Sequence, residues 1–477
     1  MNHTDLDILE GVLAQFAELC RHPHPSYGEG PLADYVEELL RTRGLSPVRD
    51  RWNNIMADLP PSPGREGAPL TVIQGHLDMV CAVKPGSGYD PKTSPVVPVV
   101  VDGVLRSDGN SSLGADNCLG NAVVLWLMEQ DISHGPVRLL FTTAEEVGLQ
   151  GAKNVDLTWL EGATYLINTD GFILGKAIVS SAGGFRETFS RPIERNPRTK
   201  NALYSLELTG FPGGHSGYDI HRGRINPIRL TAQWLSGLDM DYDLLSLNGG
   251  HAENAIPMDC TALLAVDEDD VPALNRAVEE LAQAAHGDLG GHVALNRAEP
   301  GETSAWSLPF RISVLSMLTE VFAGVYAWRD QDAEQVSASS NLGWIKTKEE
   351  QVNLSCFIRA SRQEDEDILS TQHAETAQKY AFDRITDAYP GWPEKPGNRL
   401  TETLVKVWKD LSGDEMAVDA VHVGLEPSVL GAKNPDMLLV NTGPDILDPH
   451  CLDERAPLTG LANYARLLAG TLDELSR

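Results

Sequence analysis

Apolar positions along this chain follow two rhythms. Short, nearly unbroken apolar runs at Pro69 to Gln74, Val137 to Ala144, Tyr165 to Thr169 and Met437 to Gly443 read as buried strands, and turn signals such as Gly135-Pro136 and Gly148 bound them. Stretches with helical spacing lie around them: Asp5 to Cys20, Pro31 to Arg43, Leu119 to Glu129, Leu400 to Leu411 and Leu458 to Leu475. Pro31 suits a first turn, and Gly44 suits an end. Cys81 to Asn110 is a long Pro/Gly-rich excursion in which Asp102-Gly103 is placed to turn a hairpin.

The middle of the chain differs. Ser180 to Gly184 and Arg195-Asn196-Pro197-Arg198 mark a boundary, after which Tyr204 to Thr209 alternates as a half-exposed strand. Helices are expected over Pro227 to Leu235, Val271 to Ala285, Phe310 to Phe322 and Glu364 to Ala388, with strands over Thr261 to Val266 and Val352 to Ile358. That mixture predicts an α+β domain with an antiparallel sheet, closing near Tyr389-Pro390-Gly391-Trp392-Pro393. Because Met437 to Gly443 returns to the earlier style, the segment 187–392 is read as an insertion between 1–186 and 393–477. The fold class expected is α/β: a mixed, largely parallel-sheet domain carrying an inserted α+β domain.

Composition narrows the function. A chain of 477 residues is long enough for two or three domains, each with its own core. A net charge of −30 argues against a nucleic-acid backbone or an anionic membrane as partner. The first thirty residues lack a basic flank followed by an apolar core, and no run of about 18 apolar residues suggests a membrane span. A cytoplasmic location is expected. Six scattered cysteines without Cys-x-x-Cys spacing fit reduced thiols better than a disulfide framework.

Candidate chemistry gathers where the buried runs end. Val137 to Ala144 exits into Glu145-Glu146, Pro69 to Gln74 into Gly75-His76-Leu77-Asp78, and Tyr165 to Thr169 into Asp170. Asp116 precedes a helix, and His450 lies in the loop after the last strand. Adjacent glutamates alone are most often a solvated loop, and a lone loop histidine is most often surface. Together, however, these residues occupy the carboxyl ends of strands and a helix start, where open α/β sheets place their sites. Imidazole and carboxylate both suit zinc or a related divalent ion. No His-Glu-x-x-His helix and no phosphate-binding loop is present.

Gly75-His76-Leu77-Asp78, Gly114-Ala115-Asp116-Asn117, Glu145-Glu146, Asn168-Thr169-Asp170 and Pro449-His450 resemble the M20 family of di-zinc peptidases. They look most like its aminoacyl-histidine dipeptidase branch, also called Xaa-His dipeptidase or peptidase D. Gly213 to Gly217, Asn254 to Pro257, Ile358-Arg359, Gly424-Leu425-Glu426 and Asp453-Glu454 extend the resemblance over both domains.

The resemblance implies two divalent ions per chain, zinc first, with cobalt or manganese as substitutes. Asp116 would bridge them, with Glu146 and His450 on one and His76 and Asp170 on the other. Asp78 would orient His76, and Glu145 would act as proton shuttle for a metal-bridging hydroxide. The insertion would be a lid, with His215 stabilising the oxyanion and Asn254 and Arg359 holding substrate. The activity implied is metallopeptidase hydrolysis of dipeptides with a free amino end, β-alanyl- or aminoacyl-histidine among them. An M20 deacylase acting on N-acyl-amino acids and a non-catalytic binding protein are the alternatives, and aspartate at 170 favours the peptidase. Cys118 stands where glycine is more usual, and Cys451-Leu452 replaces a Ser-Pro pair. Neither removes a ligand, but both bear on dipeptide preference. A homodimer is left open, and with it whether His215 serves its own chain or a partner's.

Overall fold

The computed structural model describes residues 3–286, 290–299, 301, 303–330 and 335–477. The chain divides into two compact units, one of Met1–Ser181, Trp392–Ala420 and Leu425–Arg477, the other of Ala182–Gly391 and Val421–Gly424.

The first unit is built on a mixed sheet. Its centre is four strands in the order Val137–Thr142, Leu70–His76, Ala163–Asn168 and Leu438–Asn441, all parallel. Ile55–Leu59 joins one side antiparallel and Lys176–Ser181 the other. The four parallel strands are the runs that lack alternation, because helices cover parallel sheets on both faces. Ala115–Leu127 is buried along its whole length, and Asp5–Cys20 packs beside it with Ile8, Val12, Phe16 and Leu19 inward. Thr4 caps the latter helix, its hydroxyl accepting from Asp7 N–H while the Asp7 carboxylate accepts from Thr4 N–H. Pro98–Val101 and Val104–Ser107 form the expected hairpin, with Asp102 and Gly103 both at positive φ.

The second unit is an antiparallel sheet of nine strands among the described residues, with Pro227–Ser236, Val271–His286, Leu308–Glu320 and Gln363–Lys379 as its long helices. The helix expected over Glu364 to Ala388 is shorter than its charge pattern implied. It ends at Lys379, Ala381 turns at φ 54°, and Asp383–Tyr389 becomes a strand paired antiparallel with Gly183–Pro192. The ladder to a neighbouring strand overrides local spacing there.

The unit boundaries also differ from 186/187 and 392/393. Residues 183–186 already belong to a strand of the second unit. Trp392 bridges back to Ser181 in the first unit, while Val421 C=O accepts from Ala182 N–H in the second. Among the described residues no helix is long and apolar enough to cross a membrane.

Candidate metal centre

The parallel strands deliver their carboxyl ends to one edge of the first unit. His76 ends Leu70–His76, Glu145 and Glu146 follow Val137–Thr142, Asp170 follows Ala163–Asn168, and His450 lies in the loop after Leu438–Asn441. Asp116 comes from the start of Ala115–Leu127, at ψ 108°, off the helical path. That helix can approach because Gly75 has no side chain: a Cβ there would meet Asn117 Oδ1 at 2.2 Å and Asn121 Oδ1 at 2.3 Å.

Asp116 stands between the two histidines. Its Oδ1 lies 3.0 Å from His76 Nε2 and its Oδ2 lies 2.9 Å from His450 Nε2. Asp170 Oδ1 is 3.6 Å from His76 Nε2, and Glu146 Oε1 is 3.0 Å from His450 Nε2. His76, Asp116 and Glu146 each offer an atom within 4.8 Å of the others. All five candidate ligands therefore meet, with His76 and Asp170 on one side of Asp116 and Glu146 and His450 on the other. His450 adopts φ 65°, a left-handed conformation that costs a non-glycine residue of order 1–3 kcal/mol and is typical of functional loops.

The donor set fits divalent cations. Asp170 Oδ1 and Glu146 Oε1 are buried with no well-directed hydrogen bond, the latter despite its closeness to His450. Buried carboxylate oxygens without partners are costly unless a cation meets them. Burial, then the charge of Asp116, pushes the Asp170 carboxyl well above its usual range. Glu145 keeps some exposed surface, yet the desolvation of its carboxyl, then the charges of Glu146, Asp170 and Glu426, push it well above its usual range, with His76 opposing.

Other side chains hold this array in place. His76 Nδ1 donates to the Asp78 carbonyl at 3.0 Å, whereas the Asp78 carboxylate is 3.5 Å away. That carboxylate instead accepts from Glu145 N–H, Glu146 N–H and Ser26 Oγ, at 2.9, 3.2 and 2.7 Å. Asp78 thus orients the ring mainly through its backbone. Glu454 accepts from four successive amides, Leu113, Gly114, Ala115 and Asp116, at 2.8–3.2 Å. Those amides open the helix bearing Asp116, where a carboxylate complements the positive end of the dipole. Sequence reasoning gave Glu454 and Glu426 no role, and their only signal was membership of the Asp453-Glu454 and Gly424-Leu425-Glu426 pairings.

His215, Asn254 and Arg359 lie in the second unit. Gly214–His215 pairs with Ala255–Ile256, and Ser216 N–H donates to Asn254 C=O at 2.8 Å. Arg359 is buried over the Phe357 ring, 4.3 Å from its centroid, with only weak contacts of 3.4 Å to Ser216 Oγ and Tyr389 Oη. It has no carboxylate partner among the described residues. His215 Nδ1 accepts from Gly217 N–H at 3.1 Å, which leaves the proton on Nε2. Burial, then Arg359, lowers the His215 imidazole to about 4, so it is neutral near pH 7. His422, which sequence reasoning missed, lies 2.7 Å from Ser339 Oγ through Nε2 in the same unit.

The model of peptidase family M28 matches residues 54–210, the stretch containing His76, Asp116, Glu145, Glu146 and Asp170. Over 469 residues the chain is 30% identical to the cytosol non-specific dipeptidase of Escherichia coli strain K12, with 96% of each chain covered. The crystal structure of aminoacylhistidine dipeptidase from Vibrio alginolyticus superposes with a TM-score of 0.85 at 26% identity, covering 97% of this chain and 96% of that one. The M20 family metallo-carboxypeptidase Sso-CP2 from Sulfolobus solfataricus shares the fold, with a TM-score of 0.54 at 13% identity over 98% of this chain and 99% of that one. The M28 match covers about a third of the chain, whereas the dipeptidase matches run through both units. Agreement over the full length, together with the ligand array, places the chain in the M20 family of metallopeptidases, alongside the cytosol non-specific and aminoacylhistidine dipeptidases.

Proposed function

We propose that this chain hydrolyses dipeptides with a free amino end, aminoacyl- and β-alanyl-histidine among them, using two divalent ions, zinc by first choice. The observation that carries the reading is Asp116, with one carboxylate oxygen turned to each histidine side of the array. In this assignment His76 and Asp170 would hold one ion, Glu146 and His450 the other, and Asp116 would contribute to both. When bound, such a pair polarises the scissile carbonyl and brings the pKa of a water towards ~7.

The chain's own residues do the rest. Glu145, whose carboxyl has no hydrogen-bond partner among the described residues, takes the proton from the attacking water and passes it to the leaving amine nitrogen. His215 donates a hydrogen bond from its Nε2–H to the oxygen that gains charge as the carbonyl becomes tetrahedral. Arg359 receives the carboxylate of the substrate, a planar fork for a planar anion, and Asn254 contributes a further polar contact. The second unit acts in this reading as a lid that supplies substrate recognition.

Incubating the metal-loaded protein with a panel of dipeptides and N-acyl-amino acids tests the proposal. Release of free amino acids from dipeptides is expected. Cleavage of acyl-amino acids alone would reassign the chain as a deacylase, and no cleavage of either, with metal bound, would leave a binding protein.

A further inference from the structure

Glu426 is fully buried at the start of the helix Glu426–Lys433. Its Oε2 accepts from Thr142 Oγ1 at 2.7 Å and from Gln74 Nε2. Its Oε1 is buried without a hydrogen-bond partner. Gln74 Oε1 accepts from Asn168 Nδ2 at 2.7 Å, Asn168 Oδ1 accepts from Asn441 Nδ2, and Asn441 Nδ2 also donates to the Asp170 carbonyl at 2.7 Å. Gln74, Asn168 and Asn441 are register partners on neighbouring parallel strands. Three amides therefore point one way across the sheet, two residues short of the ends that carry His76 and Asp170, and Glu426 terminates the series.

This pattern needs a single acceptor oxygen. A glutamine whose amide oxygen took the place of Glu426 Oε2 would satisfy Thr142 and Gln74 equally well, and it would avoid the cost of taking an ionised group out of water. The hydrogen bonds thus account for an acceptor at 426, but not for a charge. A divalent ion held at His76 would lie within its electrostatic reach: Thr142 is the register partner of His76, and Glu426 interacts favourably with His76 and unfavourably with Asp78 and Glu145.

We propose that Glu426 is a charge-supplying residue of the metal centre, not a ligand, whose buried negative charge beneath the strand ends raises the affinity of the chain for divalent ions. The inference rests on the two-metal reading above.

The test measures zinc affinity of the metal-stripped full chain by competition with a chromophoric chelator, without turnover, alongside circular dichroism and thermal melting. E426Q, which keeps the acceptor and loses the charge, should fold and melt like the parent yet bind zinc about 10–100-fold more weakly, the range typical for groups behind metal ligands. E426D, which keeps the charge and shortens the reach, should bind more tightly than E426Q even where it melts lower. Parent-like zinc affinity in E426Q would overturn the proposal. A folded E426D that binds zinc no more tightly than E426Q would also overturn it; were E426Q to fail to fold, a folded E426D at least about 10-fold weaker than the parent would decide the matter against it. A parent chain that binds no zinc would instead overturn the two-metal reading itself.

Discussion

The Asp78 carboxylate and the Glu145 backbone are directly joined: Asp78 Oδ1 accepts from Glu145 N–H at 2.9 Å, while Oδ2 takes Glu146 N–H at 3.2 Å. One carboxylate therefore fixes the turn that presents both the proposed base and a proposed ligand, and the same residue's carbonyl fixes the His76 ring. Asp78→Asn places an amide where one of these donors needs an acceptor. Metal affinity or kcat should fall about 10–100-fold. Full zinc occupancy with unchanged turnover would show that the turn holds its shape without Asp78.

The adjacent glutamates should behave differently. Glu145→Gln should keep both ions and lose the proton shuttle, lowering kcat by about 10²–10⁴-fold with KM little changed. Glu146→Gln should weaken one ion and regain part of its activity in added zinc. Exchanged phenotypes would reverse the two assignments.

Elemental analysis of protein purified without chelator should give about two divalent ions per chain. Dialysis against a chelator should abolish activity, and zinc, cobalt or manganese should restore it. A steady value of one equivalent that excess metal does not change would contradict the bridging position of Asp116.

Arg359→Ala should act on KM. Loss of one partner from a buried charge pair costs about 2–5 kcal/mol, so KM for a dipeptide should rise roughly 30-fold or more. Dipeptide amides, which lack the carboxylate, should be poor substrates for the parent and little affected by the substitution. An equal effect on both would assign Arg359 to packing.

Stability should fall in acid. Burial, reinforced by Arg359 and His215, lowers the His422 imidazole to about 3, so the folded chain keeps it neutral while the unfolded chain protonates it near the ordinary value of about 6.5. The unfolded state binds more protons between those values, so this contribution is whole above about pH 6.5 and shrinks as pH falls towards 3. From pH 7.5 to 4.5 it amounts to roughly 2–3 kcal/mol. Urea unfolding at both pH values should show His422→Asn with a pH dependence smaller by about that amount. An unchanged dependence would show that His422 is not the group responsible.

Four of the five candidate ligands stand beside a feature that sequence displays: His76, Glu146 and Asp170 sit where an apolar run stops, and Asp116 sits at a helix start. His450, in a loop, and the sorting of the five between two ions were legible only through the family resemblance. Glu364 to Ala388 misled because charged residues at helical spacing do not reveal that Phe382 turns inward and that Asp383–Tyr389 has a strand to pair with. Glu426 and Glu454 could not be read from their neighbourhoods. Glu426 acquires its meaning from Thr142, 284 residues earlier, and Glu454 from Leu113, 341 residues earlier. The short turn at Asp102-Gly103, by contrast, is local and was visible at once.

The carboxylate of Glu454 around the amides of residues 113–116 also sets an order in time. During synthesis His76, Asp116, Glu145, Glu146 and Asp170 leave the ribosome early, but His450 and Glu454 follow only after the whole Ala182–Gly391 segment. A nascent chain halted within that segment carries four of the five candidate ligands and lacks the anchor for the Asp116 loop. Dipeptide cleavage by such a truncated translation product would contradict this. Otherwise the site is completed only when the stretch that follows Ala182–Gly391 has been made.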